Sequence, residues 1–179
     1  TYNYILANDI VLNDVELTYD ANGTLTVDAT TLNQWTPING FRGIFNGNNF
    51  TVSGVYVNTT SSAGFFANCR GDVSNLTITN SYIKGGSQVG GICGSFNETG
   101  KDMTNCYFDG AVVGTSSVGG LIGSNNTTNI SNCGNYGDVW GTGDYVCGIV
   151  GSFYAYGIDN CFNEGNIYST GNYVAGIAG

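Results

Sequence analysis

The sequence predicts an all-β chain, a right-handed parallel β-helix (β-solenoid) with about 28 residues in each three-stranded coil and a β cap at its N-terminal end. Three observations predict it. A six-residue block recurs without a gap as VGGICG at 89–94, VGGLIG at 118–123, VCGIVG at 146–151 and VAGIAG at 174–179, in steps of 29, 28 and 28 residues. Two further short apolar blocks keep the same phase. The composition, with 29 Gly, a single Pro and long Asn/Thr/Ser stretches, describes many short strands separated by tight turns.

Residues 1–60 lack the repeat and read as alternating strands (YNYILAND, IVLNDVEL, GTLTVD) that cap the solenoid and lead into its first coil. Residues 61–179 carry the repeats as one continuous domain, beginning with a degenerate copy, SAGFFA, at 62–67. The second block appears as VSNLTI from Val73, MTNCYF from Met103, ISNCGN from Ile130 and IDNCFN from Ile158. The third is SYIK from Ser81, GAVV from Gly110, GDVW from Gly137 and GNIY from Gly165. A leucine-rich repeat would need its Leu consensus, and a propeller blade about 40 residues or more per repeat. Because the last block ends at Gly179, the period is expected to continue, or to be capped, in a larger parent protein with neighbouring domains.

Stacking the coils at about 4.8 Å puts like residues above one another. Leu76, Cys106, Cys133 and Cys161 then form one inward column, Ile83, Val112, Val139 and Ile167 a second, and Ile92, Leu121, Ile149 and Ile177 a third. Beside the first runs a ladder of Asn75, Asn105, Asn132 and Asn160, whose amides can bond from coil to coil at a bend. Side chains projecting in parallel from stacked strands do not converge as a disulfide requires, so the three stacked cysteines are expected to be reduced and buried. Cys147 fills a small-residue column, and whether Cys69 and Cys93 pair is left open. No Cys/His spacing suggests zinc.

Four basic residues face thirteen acidic ones, and the resulting charge of −9 repels phosphate backbones, excluding nucleic acid as a partner. No apolar run reaches the length of a membrane span. The Lys-poor, Asn/Thr-rich composition points to a secreted or bacterial cell-surface protein.

The Gly-Leu-x-Gly block, here Gly120-Leu121-Ile122-Gly123 with variants at 91–94, 148–151 and 176–179, resembles the GLUG motif of large bacterial surface proteins. The run from Trp35 through FRGIFNGNNFTVSG at 41–54 is similar to the segment that often precedes those motifs. The resemblance, over about residues 33–179, implies a β-solenoid within adhesins, filamentous-haemagglutinin-like proteins and some secreted peptidases. It implies no catalytic residue.

A carbohydrate-active β-helix enzyme, a polysaccharide lyase or hydrolase, would need clustered carboxylates, or calcium with a base. The acids are scattered. Asp109 and Glu164 share a column with Tyr136 between them, about 10 Å apart two coils on, and solvated turns account for both. Asp138 and Asp144 flank a Gly-Thr-Gly turn where an ion would fit, yet no acidic β-roll repeat accompanies them. No catalytic residue, metal ligand or cofactor is therefore expected, and the chain reads as not an enzyme.

Ligand-binding residues are expected among the aromatics. Trp140 and Tyr168 occupy the column of Lys84 and Val113, and Tyr145 and Tyr173 that of Gln88 and Ser117. Period-2 alternation turns all four outward, into one contiguous patch suited to sugar rings or a protein surface. The same stacks would also strengthen strand pairing with no ligand involved. Phe153, Tyr154 and Tyr156 form a second cluster in an enlarged turn. The expected function is an extracellular repeat module for adhesion or glycan/protein binding and scaffolding, with a passive stalk as the plainer alternative. Its partners would be a glycan or a host or bacterial surface protein.

Overall fold

Two residues in each repeat have left-handed backbone, and they set the shape of the coil. One is an asparagine, with φ of 51° to 54° at Asn75, Asn105, Asn132 and Asn160. Asparagine tolerates this region because its short amide bonds locally. The other has φ of 50° to 63° at Gln88, Ser117, Tyr145 and Tyr173. Coils bent at these positions, and at a paired small-residue/Gly step inside the VGGICG-type block, stack into a parallel β-solenoid of about five turns with roughly 28 residues per turn. The computed structural model describes residues 2–154 and 157–179.

The three apolar blocks yield four parallel sheets because two blocks bend at their centres. Sheet A stacks Asn3–Ile5, Ile44–Asn46, Asp72–Ser74, Asp102–Thr104, Asn129–Ser131 and Gly157–Asp159. Past the asparagine bend lies sheet B, whose long strands Thr77–Lys84 and Tyr107–Gly114 are followed by the pairs Gly134–Asn135 with Asp138–Gly141 and Phe162–Asn163 with Ile167–Ser169. Sheet C stacks Ser87–Gly90, Ser116–Gly119, Val146–Cys147 and Val174–Ala175. Sheet D runs from Ile38–Phe41 through Phe66–Cys69, Cys93–Phe96 and Ile122–Asn125 to Val150–Phe153. At the C/D bend, a Cβ on Gly120 would collide with the Gly148 carbonyl of the next coil, so no side chain fits.

The expected columns are in register: Val112 opposes Ile83 and Val139, and Val118 opposes Val89 and Val146. Leu76, Cys106, Cys133, Ile83, Val112, Val139, Ile92, Leu121 and Ile149 are all fully buried. Asn75 Nδ2 donates to Asn46 Oδ1 at 3.0 Å, Asn105 to Asn75 at 3.1 Å and Asn160 to Asn132 at 2.6 Å. A second amide pair replaces apolar residues in the column of Ile78 and Phe108: Asn135 Nδ2 donates to Asn163 Oδ1 at 2.7 Å and to its own turn at Gly137.

Residues 1–60 were expected to form a capping segment and the first coil. Asn3–Ile5 pairs in parallel with Ile44–Asn46, and Ile10–Val11 with Thr51–Ser53, so these residues begin a rung of the solenoid itself. Tyr2, Tyr4, Ile5 and Val11 are exposed at that edge. Residues 12–35 instead form a strap along the outer face of sheet B, where Leu17 packs with Tyr56, Tyr82, Ala111 and Trp140 in a second buried cluster. The physical reason is that sheet B carries apolar side chains on both faces, and the outer ones need covering.

Polar anchors hold the strap. Asn13 donates to the carbonyls of Asn33 and Gly54 and accepts from the Asn33 amide, closing the strap at its base. Asn80, itself left-handed with φ 46°, accepts from Leu17 N–H at 2.8 Å and donates to the Val15 carbonyl at 2.7 Å, standing in for a neighbouring strand. A hairpin at Tyr19 and Leu25 turns on Asp20, whose Oδ1 accepts from Asn22 and Thr24. Its Gly23 has φ 73°, and a Cβ there would meet the Trp140 indole at 2.6 Å.

All six cysteines are free; Cys106 and Cys133 are buried as expected, whereas Cys161 in the last coil is only half-buried. The Cys133 thiol is pushed up to about 12, chiefly by its hydrogen bond with Cys106, and Cys161 is raised in turn by Cys133. Burial first, then Cys69 beside it, raises Cys93.

Thiol titration of the denatured chain without reductant should recover at least Cys106, Cys133 and Cys161, and the folded chain should react slowly at pH 8; recovery of none would refute the ladder. Trp140→Ala should remove about 3–5 kcal/mol in urea denaturation and move the first protease cleavage into residues 12–35. Wild-type stability would mean that the strap does not depend on Trp140.

Candidate ligand-binding groove

Sheet B places Val113, Trp140 and Tyr168 in one register column. Trp140 and Tyr168 stack with ring centroids 5.1 Å apart and planes 13° from parallel, and Tyr145 and Tyr173 stack at 4.7 Å and 6°. The expected pairs therefore form, but not as four exposed rings. Trp140 is 7% exposed: the hairpin covers it, Tyr19 packs edge-on against it at 5.2 Å, and its indole N–H donates to the Ala21 carbonyl at 3.3 Å. Its outward direction was read correctly. What occupies that space is chain 119 residues away.

The expected single patch divides at the turn between sheets B and C. Tyr168, 43% exposed, is the accessible ring of the first stack. Tyr145 and Tyr173 leave the turn from left-handed backbone, and Tyr173 is 61% exposed. A bulky residue in that region costs roughly 1–2 kcal/mol, which face-to-face stacking offsets in part. Partial desolvation, then Tyr173, Tyr154 and Asp144, raise the Tyr145 phenol. Tyr156 of the same turn lies outside the described residues.

A groove of about 550 Å³ opens beside the first stack. Trp140, Tyr168 and the hairpin tip at Ala21 and Asn22 line it, and Thr142, Ser169 and Thr170 supply hydroxyls. Neither Tyr145 nor Tyr173 lines it, and among the described residues no charged side chain does. Ser169 and Thr170 are tied to the preceding coil through the Gly143 and Thr142 carbonyls. Ala21 and Asn22 were missed in the sequence, although Asp-Ala-Asn-Gly between LTY and LTV is a hairpin signal.

A second cleft, of about 620 Å³, lies between the strap and sheet B and is acidic, with Asp14, Glu16 and Asp109 among its lining. Tyr19 separates the two hollows and donates to the Gly110 carbonyl at 3.4 Å. Its phenol is raised from 10.0 to about 12 by burial first, then by Asp138, Asp109 and Tyr168. Asp138 and Asp144 serve the next coil: each accepts from the backbone and side-chain amides of the asparagine 28 residues on, Asn166 at 2.8 and 2.9 Å and Asn172 at 2.8 and 3.1 Å. Tyr136, between Asp109 and Glu164, packs edge-on against Phe162 at 5.2 Å.

Fold and site together define a parallel β-solenoid with an aromatic groove under a strap. Among solved structures it is similar to the crystal structure of a putative immunoglobulin A1 protease from Bacteroides ovatus, with a TM-score of 0.75 and 22% identity over 99% of this chain and 54% of that one. At that identity the likeness shows the fold alone, and the chain spans about half the length of its neighbour. No family model matches the chain, and no curated protein matches it by sequence.

Tyr19 carries a consequence for alkaline stability. A phenol raised in the folded state contributes stability that is complete below the unfolded value near pH 10 and is lost as pH climbs towards about 12. Urea midpoints measured from pH 8 to 12 should fall less steeply for Tyr19→Phe than for the wild type; parallel curves would remove Tyr19 from this account.

Proposed function

We propose that this chain is an extracellular bacterial surface module that binds a glycan or surface protein through the Tyr168 groove and holds neighbouring domains apart along its solenoid. The observation that carries this is the Trp140–Tyr168 stack. One ring is buried under the hairpin, the other is part-exposed, and both line the groove together with the hairpin tip. Earlier coils have Lys84 and Val113 in this column, so the repeat folds without an aromatic there.

The surface location rests on the Lys-poor, Asn/Thr-rich composition and on the resemblance of the Gly-Leu-x-Gly blocks to the GLUG motif. The name of the Bacteroides ovatus protein refers to proteolysis, but the present chain contains no histidine to serve a serine or cysteine nucleophile, and its cysteines line the core. Binding without catalysis suits these residues better.

Tyr168→Ala tests the reading, since a half-exposed ring can be removed with little loss of core. On an array carrying neutral oligosaccharides, acidic oligosaccharides and host and bacterial surface proteins, the wild type should bind at least one class of probe, and Tyr168→Ala should lose that binding while keeping its circular dichroism and urea midpoint. Unchanged binding by the variant would leave the stalk reading in place.

A further inference from the structure

We infer that residues 14–32 of the strap are a lid that lifts from sheet B as one unit, hinged at Asn13 and Asn33, while the solenoid stays folded, and that repulsion between carboxylates makes the lifting depend on salt. Three observations carry it.

The first is that lid and solenoid have separate cores. Leu17 is buried with Tyr56, Tyr82, Ala111 and Trp140 on the outer face of sheet B, and Tyr19, Leu25 and Leu32 pack against that cluster. Their neighbours in the same strands, Val57, Ile83, Val112 and Val139, belong to the main core inside the coil. Removing the lid uncovers the outer rings and leaves the inward columns packed. A segment held by few buried contacts opens at a lower free energy than the whole fold.

The second is the hydrogen bonding. Among the described residues, every main-chain bond from residues 14–32 to other main chain stays inside the strap, as from Thr26 N–H to the Thr18 carbonyl. The bonds that join lid to wall all pass through side chains. Asn80 holds Leu17 and Val15, the Tyr82 hydroxyl donates to the Gly23 carbonyl at 2.9 Å, the Trp140 indole donates to Ala21, and Tyr19 donates to Gly110. Lifting the lid therefore breaks no strand ladder of the solenoid. The base is different. Asn13 accepts from the Asn33 amide at 2.7 Å and donates to the Asn33 carbonyl at 2.9 Å and the Gly54 carbonyl at 2.8 Å, so the two ends are pinned to each other and to the wall. A compact loop with its ends held together hinges at its base.

The third is charge. The strap carries Asp14, Glu16, Asp20 and Asp28 and no lysine or arginine. Asp14 and Glu16 share the cleft of about 620 Å³ with Asp109 of the wall. Among the described residues none of these three is in an ion pair, the pairs being Arg42 with Glu98 and Lys101 with Asp72. Like charges around one cleft oppose closure, and mobile ions screen them. Closure is thus a balance between apolar contact and a repulsion that salt weakens. Because Ala21 and Asn22 line the Tyr168 groove, lifting the lid also removes that part of its lining, and the inference requires no ligand there.

Native-state hydrogen exchange of the intact chain, resolved by residue, tests this. An isolated hairpin is marginal in water, so the amides inside a lifted lid lose their protection with it. At about 0.02 M salt the Leu17, Asp20 and Thr26 amides should exchange through one shared opening, at least about tenfold faster than the Ile92 and Leu121 amides of the wall. At about 0.5 M salt that opening should slow severalfold. The double variant Asp14→Asn, Glu16→Gln changes two exposed side chains; it should slow the opening at low salt and remove most of the salt dependence. Strap amides that exchange only together with Ile92 and Leu121, or at three unrelated rates, would overturn the lid. A shared opening that salt leaves unchanged, or a double variant as salt-dependent as the wild type, would overturn the control by charge.

Discussion

Parallel stacking in strict register is the constraint on which the rest of this molecule depends. The strands of the coil wall pair with the coil above and the coil below, and a residue therefore meets its own counterparts about 28 positions away. A column must be compatible with itself, which is why β-branched and Leu side chains recur at Ile83, Val112 and Val139 or at Ile92, Leu121 and Ile149. It also explains the polar chemistry. An asparagine in left-handed backbone leaves an amide pointing along the stack, and the next asparagine answers it; an aspartate facing the next coil's backbone does the same for Asn166 and Asn172. These bonds use the pairing of coils, not the pairing of opposite charges, and a chain with only four basic residues is built accordingly.

Register repetition makes exceptions informative. The outer face of sheet B departs most from the repeat: its columns pass from Tyr56 and Tyr82 to Ala111, and from Val113 to Trp140 and Tyr168. The strap resolves the first departure by burying those rings. It resolves the second only in part, because the hairpin ends over Trp140 and leaves Tyr168 beyond its tip. Without the strap, Trp140 and Tyr168 would be two loose surface aromatics. With it, one becomes the support of the other, and the hairpin tip becomes a wall.

The coil length, the inward columns, the asparagine ladder and the free cysteines were legible because each repeats, and three or four copies of one pattern outweigh the ambiguity of any single copy. The two stacked aromatic pairs were legible for the same reason. The strap was not. Its contacts join Leu17 to Asn80 and Ala21 to Trp140 across 63 and 119 residues, and no periodicity connects those positions. Alternation correctly turned Trp140 away from the core, but direction is a local property and exposure is not. The sheet count was partly hidden too, since VSNLTI and VGGICG read as single apolar blocks until the bends at Asn75 and at Gly90 and Gly91 are seen.

The column of Gln88, Ser117, Tyr145 and Tyr173 sharpens what selection on this surface has to explain. All four hold left-handed backbone, where glycine or asparagine would be least strained and a tyrosine is among the poorer choices. The first two coils use small or flexible polar residues; the last two use tyrosines that stack on one another. Stability of the turn therefore does not select tyrosine, and stacking between the two rings repays the backbone only in part. The same coils carry Trp140 and Tyr168 on the other side of the turn, so both departures from the repeat fall in one pair of adjacent coils, where each aromatic meets its own counterpart in register.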